Sequence, residues 1–151
     1  MALVPRLRRA ERGEAGVIAV LFRNVRATSL PYLRESHTPA DDHRFFADRV
    51  LVECAVRVAE DDSGLTGFCA SRVGWVEHLY VRPDRQGRGI GTALLSEAQA
   101  AWPRLQLWVF QRNAAALRFY AARGFREVER TDGAGNAERE PDVRMEWIRA
   151  G

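Results

Sequence analysis

The run Leu79-Tyr80-Val81-Arg82-Pro83-Asp84-Arg85-Gln86-Gly87-Arg88-Gly89-Ile90-Gly91-Thr92 constrains this chain more than any other stretch. Val76 to Val81 reads as a strand, and Pro83, which has no N–H to donate to a ladder, takes the chain out of the sheet. Glycine at every second position, Gly87, Gly89 and Gly91, then opens a helix whose apolar residues Ile90, Ala93, Leu94, Ala98 and Ala101 recur at spacings of three and four until Pro103 ends it. A strand, a glycine turn and a helix start in that order form an anion-binding arrangement. Glycine lets the backbone approach a ligand, and the free amides of the first helical turn point outward with the positive end of the helix dipole. Each such contact contributes about 0.3 to 1 kcal/mol when exposed and up to about 2 kcal/mol when partly buried, so a diphosphate needs several amides. No Gly-Lys-Ser/Thr follows and the spacing is not G-x-G-x-x-G, which removes the two common nucleotide loops. A tight turn without a ligand is the structural alternative.

Around this segment the chain reads as an alternation of helices and strands. Val4 to Arg9 suggests a short strand, and Val17, Val20, Leu21 and Val25 lie on one face of a helix over about 11 to 28. Ser29 to His37 is expected as a surface loop. Thr38 before Pro39, Asp41 and Asp42 starts a second helix ending near Arg49. Leu51 to Glu60 and Leu65 to Gly74 form a hairpin across Asp61-Asp62-Ser63-Gly64. Leu105 to Phe110 is a strand, Asn113 to Arg123 a helix closed by Gly124, Phe125 to Arg130 a strand, Thr131 to Pro141 a loop, and Val143 to Ile148 the last strand. The order βααβββαβαββ predicts one mixed α/β domain over residues 1–151.

Composition narrows the class. A chain of 151 residues buries enough surface to fold without a staple. Cys54 and Cys69 lie among apolar residues with no metal-ligand spacing, so they read as reduced core thiols and no metal is expected. No apolar run reaches the roughly 18 residues of a membrane span, and the N-terminus is charged, so the expectation is a cytoplasmic protein with no membrane partner. All 23 basic residues are arginine, and they alternate with 20 acids. That dispersion predicts a solvated surface with at most one anion patch and no nucleic-acid partner.

Gln86 to Gly91 resembles the cofactor motif of the GNAT superfamily of acetyl-CoA dependent N-acetyltransferases: arginine or glutamine, two variable residues, then glycine, variable, glycine. Asn113 to Phe125, with Asn113, Tyr120 and Gly124-Phe125 in the family's order, is similar to its second cofactor element. The two cover about residues 76 to 130. The resemblance implies a central, mostly antiparallel splayed sheet of about seven strands flanked by about four helices, with acetyl-CoA as acyl donor. It implies that pantetheine lies along the backbone of Leu79 and Val81. It further implies that Gln86, Gly87, Arg88, Gly89, Ile90, Gly91 and Thr92 hold the diphosphate, and that Asn113, Ala116, Phe119 and Tyr120 complete the cofactor site. The Leu79 amide is the implied oxyanion donor and Tyr120 the implied general acid for the leaving thiolate, a tyrosine's ordinary pKa near 10 suiting a thiol. Read without the family, Tyr120 is a core residue and Asn113 a helix N-cap. Arg85, Arg88 and Arg123 are phosphate contacts or surface residues.

The acceptor side is less marked. The positions where relatives carry a glutamate base are Trp108 and Trp75. Glu77 and His78 are the nearest replacements, expected on opposite faces of the strand so that at most one meets the acceptor; His37 is a further candidate wall residue. Glu138, Glu140 and Asp142 read as a solvated acidic loop, broken up by Arg139 and Arg144, with recruitment of a cationic substrate as the alternative. Trp75, Trp108 and Trp147 are packing residues or cleft walls. The resemblance implies transfer of an acetyl group to a primary amine of a small molecule or a peptide N-terminus by direct attack, in a monomer or homodimer. Neither cysteine lies in a cofactor motif, so no acetyl-cysteine is expected. A non-catalytic acyl-CoA-binding or sensing module is the alternative, and an arginine-rich nucleic-acid binder around Arg82 to Arg88 the third reading.

Overall fold

A computed structural model describes residues 5–34 and 36–151. Seven strands form one sheet in the order β1-β2-β3-β4-β5-β7-β6. They are β1 (Arg6–Arg9), β2 (Ala55–Asp61), β3 (Gly64–Arg72), β4 (Gly74–Val81), β5 (Arg104–Phe110), β6 (Arg126–Arg130) and β7 (Asp142–Ile148). The expected start of the first strand at Val4 lies outside the described residues. Every neighbouring pair is antiparallel except β4 and β5, which run parallel. Four helices flank the sheet: α1 (Ala15–Ser29), α2 (Pro39–Phe45), α3 (Ile90–Ala101) and α4 (Ala114–Ala121).

The helices divide between the two faces. Ile18, Leu21 and Val25 of α1 pack with Phe46, Val50, Val58 and Phe68 on one side, while Ile90, Leu94, Leu95 and Ala98 of α3 pack with Val76, Leu105, Leu107 and Tyr120 on the other. β3 is covered from both sides and is buried from Leu65 to Ser71, so its sequence loses the alternation of a half-exposed strand.

Local chemistry accounts for the ends of the elements. Thr38 accepts from the Asp41 amide and Asp41 returns a bond to the Thr38 amide, a reciprocal cap on α2 with Pro39 in its first turn. The helix then continues past its expected end. Phe46–Val50 forms a π turn and Leu51–Glu53 one further α turn, so the strand expected from Leu51 begins at Ala55. Burial of Phe46 and Val50 decides this over the β-branched character of the segment.

Two features of β4 shape the cleft. Its pairing with β5 is confined to Gly74↔Leu105 and Trp75↔Gln106, so among the described residues the two strands part company beyond Trp75. Its register against β3 passes from Ser71↔Val76 to Ala70↔His78, which leaves Glu77 as the extra residue of a β-bulge. The bulge reverses the alternation: Val76, Leu79 and Val81 pack toward α3, and His78 and Tyr80 toward α1.

Candidate functional site

The sequence-predicted residues fall on two sides of the parted strands. On the α3 side, the Arg82 amide donates to the Thr66 carbonyl at 2.7 Å. In an antiparallel ladder such bonded positions alternate, so Tyr80 and His78 also direct their polar backbone groups to β3. Leu79 and Val81 therefore aim their amides and carbonyls at the gap beside β5. The Val81 carbonyl accepts from the Gln86 side chain at 3.0 Å. That backbone edge is the part of β4 able to pair with an extended ligand.

The edge leads into the glycine turn. Gly87 and Gly89 hold φ of +77° and +84°, in the left-handed region that glycine enters without strain, and both face open space. Gly89 is the N-cap of α3 and no side chain caps the helix. The first intrahelical bond is Ala93 to Gly89, at 3.0 Å, which leaves the amides of Ile90, Gly91 and Thr92 as the free donors of the first turn. Gln86 and Arg88 are exposed and Ile90 is buried. The turn, the uncapped helix and the open strand edge fit an extended ligand with an anionic group.

α4 closes this side. Asn113 accepts from the Ala116 amide at 3.2 Å, capping its helix. Phe119 lies 3.4 Å from where a Cβ on Gly91 would stand, so the third glycine permits the approach of α4 to α3. Arg123 stacks over Phe119 at 3.8 Å and donates to the Thr92 hydroxyl and the Phe119 carbonyl. Arg85 is bound by Asp61 and Asp84. Tyr120 is buried in the cluster that also packs Leu79 and Val81, edge-on to Phe125 at 5.4 Å. Burial pushes its hydroxyl above the usual tyrosine range, with smaller contributions from Cys69 and Tyr80.

On the α1 side lies a cavity of about 880 Å³. Its walls are Phe22 and Arg26 of α1, the segment with Arg34, Ser36 and His37, Asp41 to Phe45 of α2, the β4 residues Glu77, His78 and Tyr80, Trp108 to Phe110 of β5, and the β6–β7 connection. Glu77 and His78 both border it. Opposite faces are expected for the two, but the bulge at Glu77 interrupts the strand period and brings both to this cavity. His78 sits among Phe22, Phe45, Phe46, Phe68 and Tyr80, with centroids 5.5 to 6.4 Å away. Burial, and to a lesser extent Arg26, lowers its pKa from the usual 6.5 to about 4, so the imidazole is neutral at pH 7. Glu77 is bound to Arg72 at 2.7 Å.

The acidic loop is not the solvated segment its charges suggest. Glu140 and Asp142 are 6% and 7% exposed. Glu140 pairs with Arg112 at 3.0 Å, and Asp142 accepts from Thr131 and Asn136. Gln111 ties Thr131 and Asp142 together through their carbonyls, and Asn136 binds both backbone groups of Glu140. These bonds hold the β6–β7 connection as a wall of the cavity. Trp108 lines it as well, 46% exposed, whereas Trp75 and Trp147 do not. Phe22, Arg26, Phe45 and Tyr80 are cavity residues the sequence reading missed. The one local signal is that Phe22 and Arg26 are four apart on α1 and so share a face.

Residues 42–127 match the family described as acetyltransferase (GNAT) domain, more than half of the chain. This chain belongs to the GNAT acetyltransferase family. Among GNAT relatives, it is 32% identical over 124 residues to the peptidyl-lysine N-acetyltransferase YiaC of Escherichia coli, covering 82% of this chain and 84% of that one. It is 28% identical over 135 residues to the L-amino acid N-acyltransferase MnaT of the same organism, with 79% and 78% covered. In fold it is similar to the PaiA N-acetyltransferase of Thermoplasma acidophilum in complex with coenzyme A, at TM-score 0.77 and 21% identity over 97% and 99% of the chains. The seven-stranded sheet and four helices are those of a GNAT N-acetyltransferase. Among the described residues no three His, Cys, Asp or Glu side chains are grouped to hold a metal, and no helix is long and apolar enough to cross a membrane.

Proposed function

We propose that this GNAT enzyme transfers an acetyl group from acetyl-CoA to a primary amine of a small molecule or peptide N-terminus, by direct attack while both are bound. The observation that carries this reading is the edge of β4, unpaired by β5 at Leu79 and at the Val81 amide, between an uncapped helix terminus on one side and the cavity on the other. Leu79, Val81, the amides from Gly87 to Thr92, Asn113, Ala116 and Phe119 are the residues to hold the donor. Acetyl-CoA supplies a thioester, an acyl group on a good leaving sulfur.

The chain's own groups then divide the work. The Leu79 amide hydrogen-bonds the acyl oxygen as negative charge develops there, a preorganised dipole of the kind whose removal costs about 3 to 4 kcal/mol of barrier. The N–C bond forms as the C–S bond breaks, and Tyr120, kept protonated by burial, gives its proton to sulfur. The amine must arrive neutral or lose a proton. His78, neutral with a pKa near 4, holds a proton poorly; Glu77 supplies a carboxylate on the same wall. We assign Glu77, through water, as the proton acceptor.

The test is thiol release from acetyl-CoA with a panel of amines, read beside calorimetric binding of coenzyme A. Binding with amine-dependent thiol release supports the reading. Tight binding with no release across the panel supports the sensing module instead, and nucleic-acid binding that coenzyme A does not displace supports the third reading.

A further inference from the structure

The ion pairs around the cavity are not alike. Asp42 is held by Arg23 at 2.8 Å, Asp41 by Arg44 at 2.5 Å and Glu77 by Arg72 at 2.7 Å, all direct contacts. Arg26 and Glu138 are 3.7 Å apart, too far for a hydrogen bond, although both line the cavity and the Arg26 side chain is only 14% exposed. Arg26 lies over the Phe22 ring at 5.1 Å and beside the Tyr80 hydroxyl, whose pKa it pulls back against burial. A guanidinium has five donors in a planar fork. Those of Arg26 that Tyr80 does not take open onto the cavity that both residues line.

A largely desolvated guanidinium with spare donors is a carboxylate receptor, and a loose cation–anion pair complements a zwitterion. The surrounding wall is apolar: Phe45 and Trp108 are 43% and 46% exposed, large rings left bare on the cavity side. From these observations, and resting on the acetyltransferase reading above, we infer that the acceptor is a free α-amino acid with a large apolar side chain, its carboxylate held by Arg26. The ammonium end faces Glu138, and the side chain covers Phe45 and Trp108. A lysine within a protein offers no carboxylate near its amine and leaves Arg26 unmatched. A peptide N-terminus carries an amide at that position and fails in the same way.

The experiment compares L-phenylalanine, L-phenylalaninamide, 2-phenylethylamine and a lysine-containing peptide as acceptors of the full chain, by thiol release. Because this chain contains no lysine, every acetyl-lysine signal belongs to the peptide. The expected kcat/KM for phenylalanine exceeds that for the amide and the phenylethylamine by about 30-fold or more. Arg26→Gln removes the preference and Arg26→Lys, a charge without the fork, restores part of it. Calorimetry with N-acetyl-L-phenylalanine reads the carboxylate contact without turnover and should show the same loss in Arg26→Gln, with melting temperature as the check on folding. Equal or better use of the amide or the lysine peptide, or a preference that survives Arg26→Gln, overturns the inference while leaving the acetyltransferase standing. Absence of thiol release with every acceptor, together with no coenzyme A binding, overturns the acetyltransferase reading; the calorimetric arm still decides the carboxylate contact.

Discussion

Tyr120 is a buried side chain to which the proposed mechanism gives the acid role. It shares a helical face with Ala116 and Phe119, as a core residue would, and it is buried in the cluster against which Leu79 packs. Tyr120→Phe removes one oxygen and keeps the ring packing. The expected outcome is kcat lowered about 100-fold with coenzyme A affinity nearly unchanged, measured by steady-state kinetics and calorimetry. Normal turnover would remove Tyr120 as the acid. Gly89 separates charge from backbone strain. Alanine and aspartate both meet open space there, and both must adopt φ +84°, which costs on the order of 1 kcal/mol. Aspartate tolerates that conformation better than alanine. If the diphosphate lies at this turn, Gly89→Asp weakens coenzyme A binding more than Gly89→Ala does, despite the smaller strain; the reverse order would point to backbone geometry alone.

At the scale of elements, β4 carries most of what positions the site. Its spacing from β3 depends on Gly67, where a Cβ would lie 2.9 Å from the Tyr80 carbonyl and 3.3 Å from Ile90 and Leu94. The carbonyl is backbone and cannot step aside. Gly67→Ala is expected to cost about 1 to 3 kcal/mol in urea denaturation and to lower coenzyme A affinity by displacing the Leu79–Val81 edge. The strand, glycine turn and helix of β4 and α3 are legible in the sequence because their chemistry is local: proline, alternating glycines and a helical period follow one another directly. The bulge at Glu77 is not, because alternation along β4 alone carries no sign of the extra residue. α2 is misjudged at its C-terminal end for a related reason. Leu51-Val52 has strand propensity, and only the burial of Phe46 and Val50 beneath the sheet carries the helix through to Glu53.

For the whole molecule, the strand and helix order follows from the sequence, but the cavity on the α1 side does not. Phe22, Phe45, Tyr80, Trp108 and Asn136 come from five separate segments and share no spacing. Glu140 and Asp142 look solvated beside Arg139 and Arg144, yet Arg112, Thr131 and Asn136 take them up from elsewhere in the chain. Stability against acid also belongs to this scale. Unfolded, His78 titrates near 6.5, and in the fold near 4. Between those values the unfolded chain binds a proton that the native protein does not, so stability is present above pH 6.5 and is lost as the pH falls toward 4. The loss attributable to His78 between pH 7 and pH 5 is about 2 kcal/mol. Urea midpoints should fall over that range in the parent protein and fall less in His78→Phe.

The backbone donors at the centre of the account cannot be removed by mutation, but they can be watched. Proton–nitrogen correlation spectra of the labelled protein titrated with acetyl-CoA report each amide separately. The largest shifts are expected at Leu79, Val81 and the residues from Gly87 to Thr92. If those amides stay where they are while saturable shifts appear elsewhere, the placement of the donor along β4 and the start of α3 is contradicted.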